Sequence, residues 1–243
     1  AIHFYKLAAD QNFREAQYEL GKIYFDGHYI PKNIDNAIYY LTLAANQNQI
    51  KSQNKLGVIF SNELHSSYDI NKTIDYLMLA ANNNCVEAQF NLGVIYYYNK
   101  FVERDIKKAL HFFTLAADHN YVNAQSTLGM IYYSGKFIPR NIEKSIHYYK
   151  LASSQNDMIS QYNLGLIYSN GLYIPKDIPK AYYYFELAAK KNFAKAQYQL
   201  GLILYNGEKI QKDISKSIHY FTLAAEQNLP DAQYSLGLIY YNG

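Results

Sequence analysis

Two alternating patterns of apolar and polar positions run the length of the chain. Around residues 16–26, Ala16, Leu20, Ile23 and Tyr24 fall at i, i+4, i+7 and i+8, which is one face of a 3.6-residue helix. Around residues 34–46, Ile34, Ala37, Ile38, Leu41, Ala44 and Ala45 make a second such arc. Gly27 stops the first helix, as do Gly135, Gly171 and Gly207 in later copies, and Pro31 cannot continue it. Ile30, in the loop between the two helices, is placed to plug into the core. The short connection makes the two helices antiparallel neighbours.

The pattern repeats every 36 residues without insertion or deletion. Leu-Gly recurs at Leu20-Gly21, Leu56-Gly57, Leu92-Gly93, Leu128-Gly129, Leu164-Gly165, Leu200-Gly201 and Leu236-Gly237. Gln17, Ile23 and Leu7 head three further unbroken columns. A single hairpin cannot bury its apolar face, so the hairpins must stack on their neighbours. The fold expected is all-α. It is a right-handed superhelical α-solenoid of about seven 36-residue helix-turn-helix repeats, with fourteen helices and no strand. Asn12, Asn48, Asn84, Asn120, Asn156, Asn192 and Asn228 each follow the end of a second helix, where a left-handed residue is wanted, and are expected at positive φ.

The unit Ala16-Gln-Tyr-Glu-Leu20-Gly21-x-x-Tyr24-x-x-Gly27, followed by Ala37-x-x-Tyr40-x-x-Ala44-Ala45, resembles the Sel1-like repeat (SLR) family, a relative of the tetratricopeptide repeat. The resemblance covers essentially the whole chain. It departs from the family where Asn12 and its equivalents replace Gly, and where Tyr29 stands for a loop Gly. The repeat at 50–72 is the weakest, with Ser52, Glu63 and Ser67 in the Ala, Gly and Pro columns. The register opens on a second-type helix and closes on a first-type one. Residues 1–243 are therefore expected to be a single solenoid segment, open at both ends and part of a longer array. The resemblance implies a non-catalytic scaffold or adaptor that binds a peptide or partner protein on the concave face.

Composition narrows the alternatives. Lys plus Arg is 23 against 20 acidic residues, a net charge of +3 that is too small to drive nucleic-acid binding by phosphate neutralisation. An RNA-binding helical array is the second reading. It needs a basic groove, and the columns expected on the concave face carry few basic residues, Lys22 and Lys195 among them, against Glu15, Asp26, Glu87 and Asp231. No apolar run reaches the length of a membrane helix. The single cysteine, Cys85, allows neither an internal disulfide nor a multi-cysteine zinc site, is expected as a free thiol, and fits a reducing intracellular compartment. Tyr occurs 28 times, a total that AT-rich coding alone can produce.

Chemistry is sparse. Ser52-Gln-Asn-Lys55 matches the S-x-x-K nucleophile motif, but neither companion motif follows and Ser52 sits in the core-facing Ala column. His3, His111, His147 and His219 share a column on the outer side of the second helix, with no carboxylate or thiol partner to complete a metal site. No cofactor or metal is expected. The Gln17 column reads as structural, its amides bonding a loop or a neighbouring repeat.

One surface stands out. On the first helix, the columns headed by Tyr18, Lys22, Phe25 and Asp26 face away from the hairpin's own core arc. They are rich in aromatic and aliphatic residues all the same. The Tyr18, Phe25 and Asp26 columns are expected to face solvent, because they vary among Tyr, Ser and Asn. The Lys22 column, with Met130, Leu166 and Leu202, is either groove or inter-repeat core. The partner-binding residues expected on this face are Phe90, Tyr97, Tyr98, Met130, Tyr133, Tyr162, Leu166, Tyr198 and Tyr205, with Tyr97 and Tyr133 as anchors.

Overall fold

The computed structural model describes residues 1–98 and 102–242. It contains fourteen helices and, among the described residues, no strand. In order they are α1 (Ile2–Asp10), α2 (Arg14–Asp26), α3 (Ile34–Asn46), α4 (Ile50–Phe60), α5 (Ile70–Asn82), α6 (Val86–Tyr98), α7 (Ile106–Asp118), α8 (Val122–Ser134), α9 (Ile142–Ser154), α10 (Met158–Asn170), α11 (Ile178–Ala189), α12 (Ala194–Asn206), α13 (Ile214–Glu226) and α14 (Pro230–Asn242). Even-numbered helices are the first helices of a repeat and odd-numbered ones the second. The chain forms two compact units, Ala1–Tyr121 and Val122–Gly243.

Within each unit, a first helix packs on the second helix that follows it, and that second helix packs on the next first helix. First helices of successive repeats also touch, α4 on α6 in one unit and α8 on α10 in the other. The close approach inside each hairpin is set by glycine. A Cβ on Gly93 would lie 2.6 Å from the Phe113 ring, and one on Gly165 would lie 2.5 Å from Phe185. Each of those rings is fully buried, as are Leu41, Leu77, Tyr149 and Phe221 at the same position of other repeats. Loop residues Ile174 and Ile210 pack against the core of the second unit, as the sequence suggests for Ile30.

The helix ends are chemically defined. All seven Asn residues after the second helices have positive φ, from 59° to 69°. Gly27, Gly135, Gly171 and Gly207 close first helices at φ between 63° and 73°. The second helices start on Asn33, Asp69, Asp105, Asn141, Asp177 and Asp213. These side chains accept backbone N–H bonds of 2.9–3.1 Å from the first turn, a cap that the apolar periodicity does not reveal. In the weak second repeat α4 has 11 residues where the other complete first helices have 13, and Ser61 rather than Gly follows it.

The tyrosine richness has a structural use. Rings from facing helices stack nearly parallel in five of the six hairpins: Tyr24 on Tyr40, Phe60 on Tyr76, Tyr96 on Phe112, Tyr132 on Tyr148 and Tyr168 on Tyr184, at 5.8–6.0 Å. A lysine in the first turn of the second helix lies over the first-helix ring in four of these pairs, for example Lys108 at 5.1 Å from Tyr96.

Candidate functional site

The first-helix face is where a partner-binding surface is expected, and its columns differ in exposure. In the first unit Phe90 is half-buried, Tyr97 is buried at 6% exposure, and Tyr98 is exposed at 57%. In the second unit Met130 and Tyr205 are exposed, while Tyr133, Tyr162, Leu166 and Tyr198 are half-buried. The expectation that the Tyr18 and Phe25 columns face solvent is therefore corrected at Phe90, Tyr97, Tyr133, Tyr162 and Tyr198.

The physical reason lies within each hairpin. Phe90 sits 5.6 Å from the buried Phe113 ring and 5.3 Å from Tyr121. Tyr162 repeats the arrangement on Phe185 and Phe193, at 5.8 and 5.2 Å, and Tyr198 sits 5.6 Å from Phe221. Tyr97 packs edge-on against Phe113 at 6.3 Å and against Tyr98 at 4.9 Å. Burial raises the hydroxyl pKa of both Tyr97 and Tyr162. The Tyr18 column varies because it matches the residues beneath it. Where Ser126 replaces the aromatic, Tyr149 holds the position of Phe113 and Phe185, and the Asp157 Oδ2 accepts from Ser126 Oγ at 3.2 Å and from the Ser160 backbone at 2.7 Å. Tyr133 meets Tyr173 edge-on at 6.1 Å, and the Arg140 guanidinium lies 4.4 Å above the Tyr173 ring and donates to its hydroxyl.

The Lys22 column supplies the accessible apolar strip. Val58, Met130 and Leu238 are about 40% exposed, and Val94, Leu166 and Leu202 are half-buried. In the second unit a cleft of about 230 Å³ opens between α12 and α14, lined by Leu202, Tyr205, Asn206, Ser235, Leu238 and Ile239 over Phe221. On α2 and α4 of the first unit the same face is ionic: Lys22 lies 3.7 Å from Glu19, and Lys55 reaches Asp26 at 3.8 Å and the Phe25 ring at 4.3 Å.

The remaining sequence signals are structural in placement. Ser52 is fully buried in α4, while Lys55 is engaged with Asp26 and Phe25. His3, His111, His147 and His219 are all exposed, each ring against the aromatic residue that follows it. Cys85 is a free, half-buried thiol whose pKa burial raises, 3.5 Å from a Glu87 oxygen. Among the described residues no group of three His, Cys, Asp or Glu could hold a metal ion, and no helix is long and apolar enough to cross a membrane. Gln17 and its equivalents through Gln197 are buried. Gln17, Gln53, Gln89 and Gln161 donate to a backbone carbonyl of the preceding second helix at 3.3–3.4 Å, so the structural reading of this column holds.

A model of the Sel1 repeat family matches residues 1–13, 14–49, 50–85, 86–121, 122–157, 159–193, 194–229 and 230–243. No curated protein matches the sequence. Among solved structures, a Sel1 repeat protein from Oxalobacter formigenes is similar over 100% of this chain and 71% of its own, with 26% identity and a TM-score of 0.82. The protective antigen c5321 of uropathogenic Escherichia coli, which displays an SLR fold, is similar over 99% of this chain and 59% of its own, at 24% identity and a TM-score of 0.59. That second likeness speaks to fold alone.

Proposed function

The chain belongs to the Sel1 repeat family, and from that premise we propose that it is a protein-interaction scaffold whose first-helix face holds a partner polypeptide. Sel1 repeat proteins typically mediate protein–protein interaction and are generally non-catalytic. The observation that carries the reading is the apolar strip on the first helices, where Met130, Tyr205 and Leu238 remain about 40% exposed beside half-buried Leu166 and Leu202. Contiguous exposed apolar area of this kind marks interaction surfaces. The same strip is poor in Lys and Arg, which speaks against a groove for a nucleic-acid backbone.

Site-specific photo-crosslinking tests the proposal. A photoreactive phenylalanine at position 130 or 205 is expected to capture polypeptide from cell extract. The same probe at position 183, on the exposed side of a second helix, is expected to capture none. Equal capture at all three positions, or capture of nucleic acid alone, would overturn the reading.

A further inference from the structure

The loop after α4 and the loop after α10 are equivalent, three repeats apart, and they treat one space differently. In the second unit Tyr173 fills it. The Tyr173 ring meets Tyr133 edge-on at 6.1 Å, and the Arg140 guanidinium lies 4.4 Å from the ring centre and donates to the hydroxyl. In the first unit the same three positions hold His65, Phe25 and Lys32. The surroundings match: Ile34 corresponds to Ile142, Ile59 to Ile167 and Asn62 to Asn170.

The His65 ring is held to its own loop instead. Ser67 stands where the other loop has Pro175, so it keeps a backbone N–H that proline lacks. That N–H donates to His65 Nδ1 at 3.1 Å, and Ser67 Oγ lies 2.7 Å from the same nitrogen. Beside Phe25 a cavity of about 320 Å³ remains, walled by Phe25, Ile34, Val58 and Ile59. It is at the small end of the roughly 300–1,000 Å³ typical of small-molecule pockets, with room for a single ring. Three donors line it: Lys32, Asn62 and His65. Lys32 Nζ lies 5.0 Å from the centre of the Phe25 ring. Because His65 Nδ1 accepts, the ring proton is on Nε2. Asn62 Oδ1 accepts from the Leu64 backbone N–H at 3.1 Å, which leaves the amide hydrogens as donors. No Asp or Glu is among the lining residues.

We propose that this cavity binds a small aromatic acid, a single ring that bears a carboxylate. The ring lies against Phe25, as the Tyr173 ring lies against Tyr133, with Ile34 and Val58 around it. The carboxylate takes the place of the Tyr173 hydroxyl at the cation. It is a stronger partner for the Lys32 ammonium than the ring face that the ammonium now covers. Asn62 and His65 donate to its remaining lone pairs. Donors with no acidic neighbour select an anion, and the apolar walls select a ring over a bare ion. The inference goes beyond the scaffold reading and does not depend on it.

Titration of the isotope-labelled 243-residue chain with sodium benzoate, followed by amide NMR shifts, provides the test. Saturable shifts are expected at Lys32, Asn62 and His65, with a Kd of about 1 mM or tighter. Benzyl alcohol, a ring without charge, and acetate, a charge without a ring, are each expected to bind at least tenfold more weakly. Lys32→Met is expected to weaken benzoate binding at least tenfold, and Lys32→Arg to keep it within about threefold, since Arg140 holds that position in the second unit. His65→Tyr with Ser67→Pro supplies the ring that the second unit carries and is expected to abolish binding without lowering the melting temperature. The reverse pair, Tyr173→His with Pro175→Ser, is expected to open a second site and raise the stoichiometry from one to two. Shifts that do not saturate by about 10 mM benzoate would overturn the inference. So would binding that survives in His65→Tyr with Ser67→Pro, or in Lys32→Met should the first variant fail to fold. Acetate binding as tightly as benzoate would make this a simple anion site, and benzyl alcohol doing so an apolar cavity; either result overturns the assignment to an aromatic acid.

Discussion

Gln47 Nε2 donates to Gln17 Oε1 at 2.8 Å, joining two amides thirty residues apart in sequence. The same bond recurs from Gln155 to Gln125 at 2.8 Å and from Gln227 to Gln197 at 2.7 Å. Where the donor position holds another residue, the acceptor is left alone. Asn83, His119 and Lys191 occupy it opposite Gln53, Gln89 and Gln161, and the Oε1 atoms of those three glutamines are buried without a partner. The bond thus ties the start of a first helix to the end of the second helix in the same hairpin, and it is made in three of the six hairpins.

Its energetics can be measured. Removing one partner of a buried hydrogen bond costs about 1–3 kcal/mol, because the remaining group stays desolvated. Gln155→Ala is expected to lower the urea-unfolding free energy by that amount, and Gln125→Leu with Gln155→Leu by clearly less. In the opposite direction, His119→Gln gives Gln89 a donor and is expected to add about 0.5–1.5 kcal/mol.

The glycine column offers a sharper steric test. Gly165→Ala drives a methyl to 2.5 Å from the Phe185 ring, which is fully buried and has no room to retreat. A loss of about 1–3 kcal/mol is expected from overpacking. Thermal unfolding of Gly165→Ala against the parent chain measures the loss.

The contrast between those columns shows what the sequence discloses. Helix number, hairpin pairing and the Asn caps were legible because each depends on residues close in sequence or on the bare 36-residue step. The exposure of the first-helix face was not. Phe90 is covered by Phe113 and Tyr121, 23 and 31 residues later, and Ser126 answers to Tyr149 and Asp157 at the same offsets. Variation among Tyr, Ser and Asn in that column therefore tracks three-way packing and says little about solvent. The Gln ladder was half legible: the acceptor column is unbroken, but its donors alternate with Asn, His and Lys, so no repeating residue marks them.

The left-handed asparagines separate a backbone role from a side-chain role. Asn120 and Asn192 both have φ near 60°, but of the two only Asn192 accepts hydrogen bonds on its amide oxygen, from Gln197 at 3.1 Å and Gln227 at 3.0 Å. Asn120→Gly is expected to be neutral within about 0.5 kcal/mol, and Asn120→Ala to cost about 1–2 kcal/mol for the left-handed backbone. Asn192→Gly is expected to cost about 1 kcal/mol or more, since it removes two hydrogen bonds along with the amide. Melting curves of the three variants rank the two contributions.

Tyr97 and Tyr98 are adjacent, and only one belongs to a surface. Tyr97 is 6% exposed against Phe113, whereas Tyr98 is 57% exposed. Tyr97→Ala opens a core cavity and is expected to cost about 3–5 kcal/mol. Tyr98→Ala is expected to stay within about 0.5 kcal/mol. Denaturant titration of each variant decides this, and a loss of partner binding in Tyr97→Ala has to be read against its loss of stability.

Tyr149 makes the second unit sensitive to alkali. Its side chain is 2% exposed, and burial, together with the nearby Tyr133 hydroxyl and the Asp157 carboxylate, raises its pKa well above the ordinary tyrosine value. In the unfolded chain the phenol titrates at about 10. Below that pH the proton is bound in both states and the contribution to stability is fully present. As pH rises past 10 the unfolded chain releases the proton first, so unfolding is favoured, and the loss grows until the folded-state pKa is reached. Tyr149→Phe removes this linkage while keeping the ring that fills the space beside Gly129. Stability measured by urea unfolding is expected to fall more steeply between pH 9.5 and 11.5 in the parent protein than in Tyr149→Phe. At pH 7 the two should differ by about 1 kcal/mol or less, the typical net worth of one hydroxyl. Parallel pH profiles would mean that half-buried tyrosines, Tyr162 and Tyr184 among them, govern the alkaline transition.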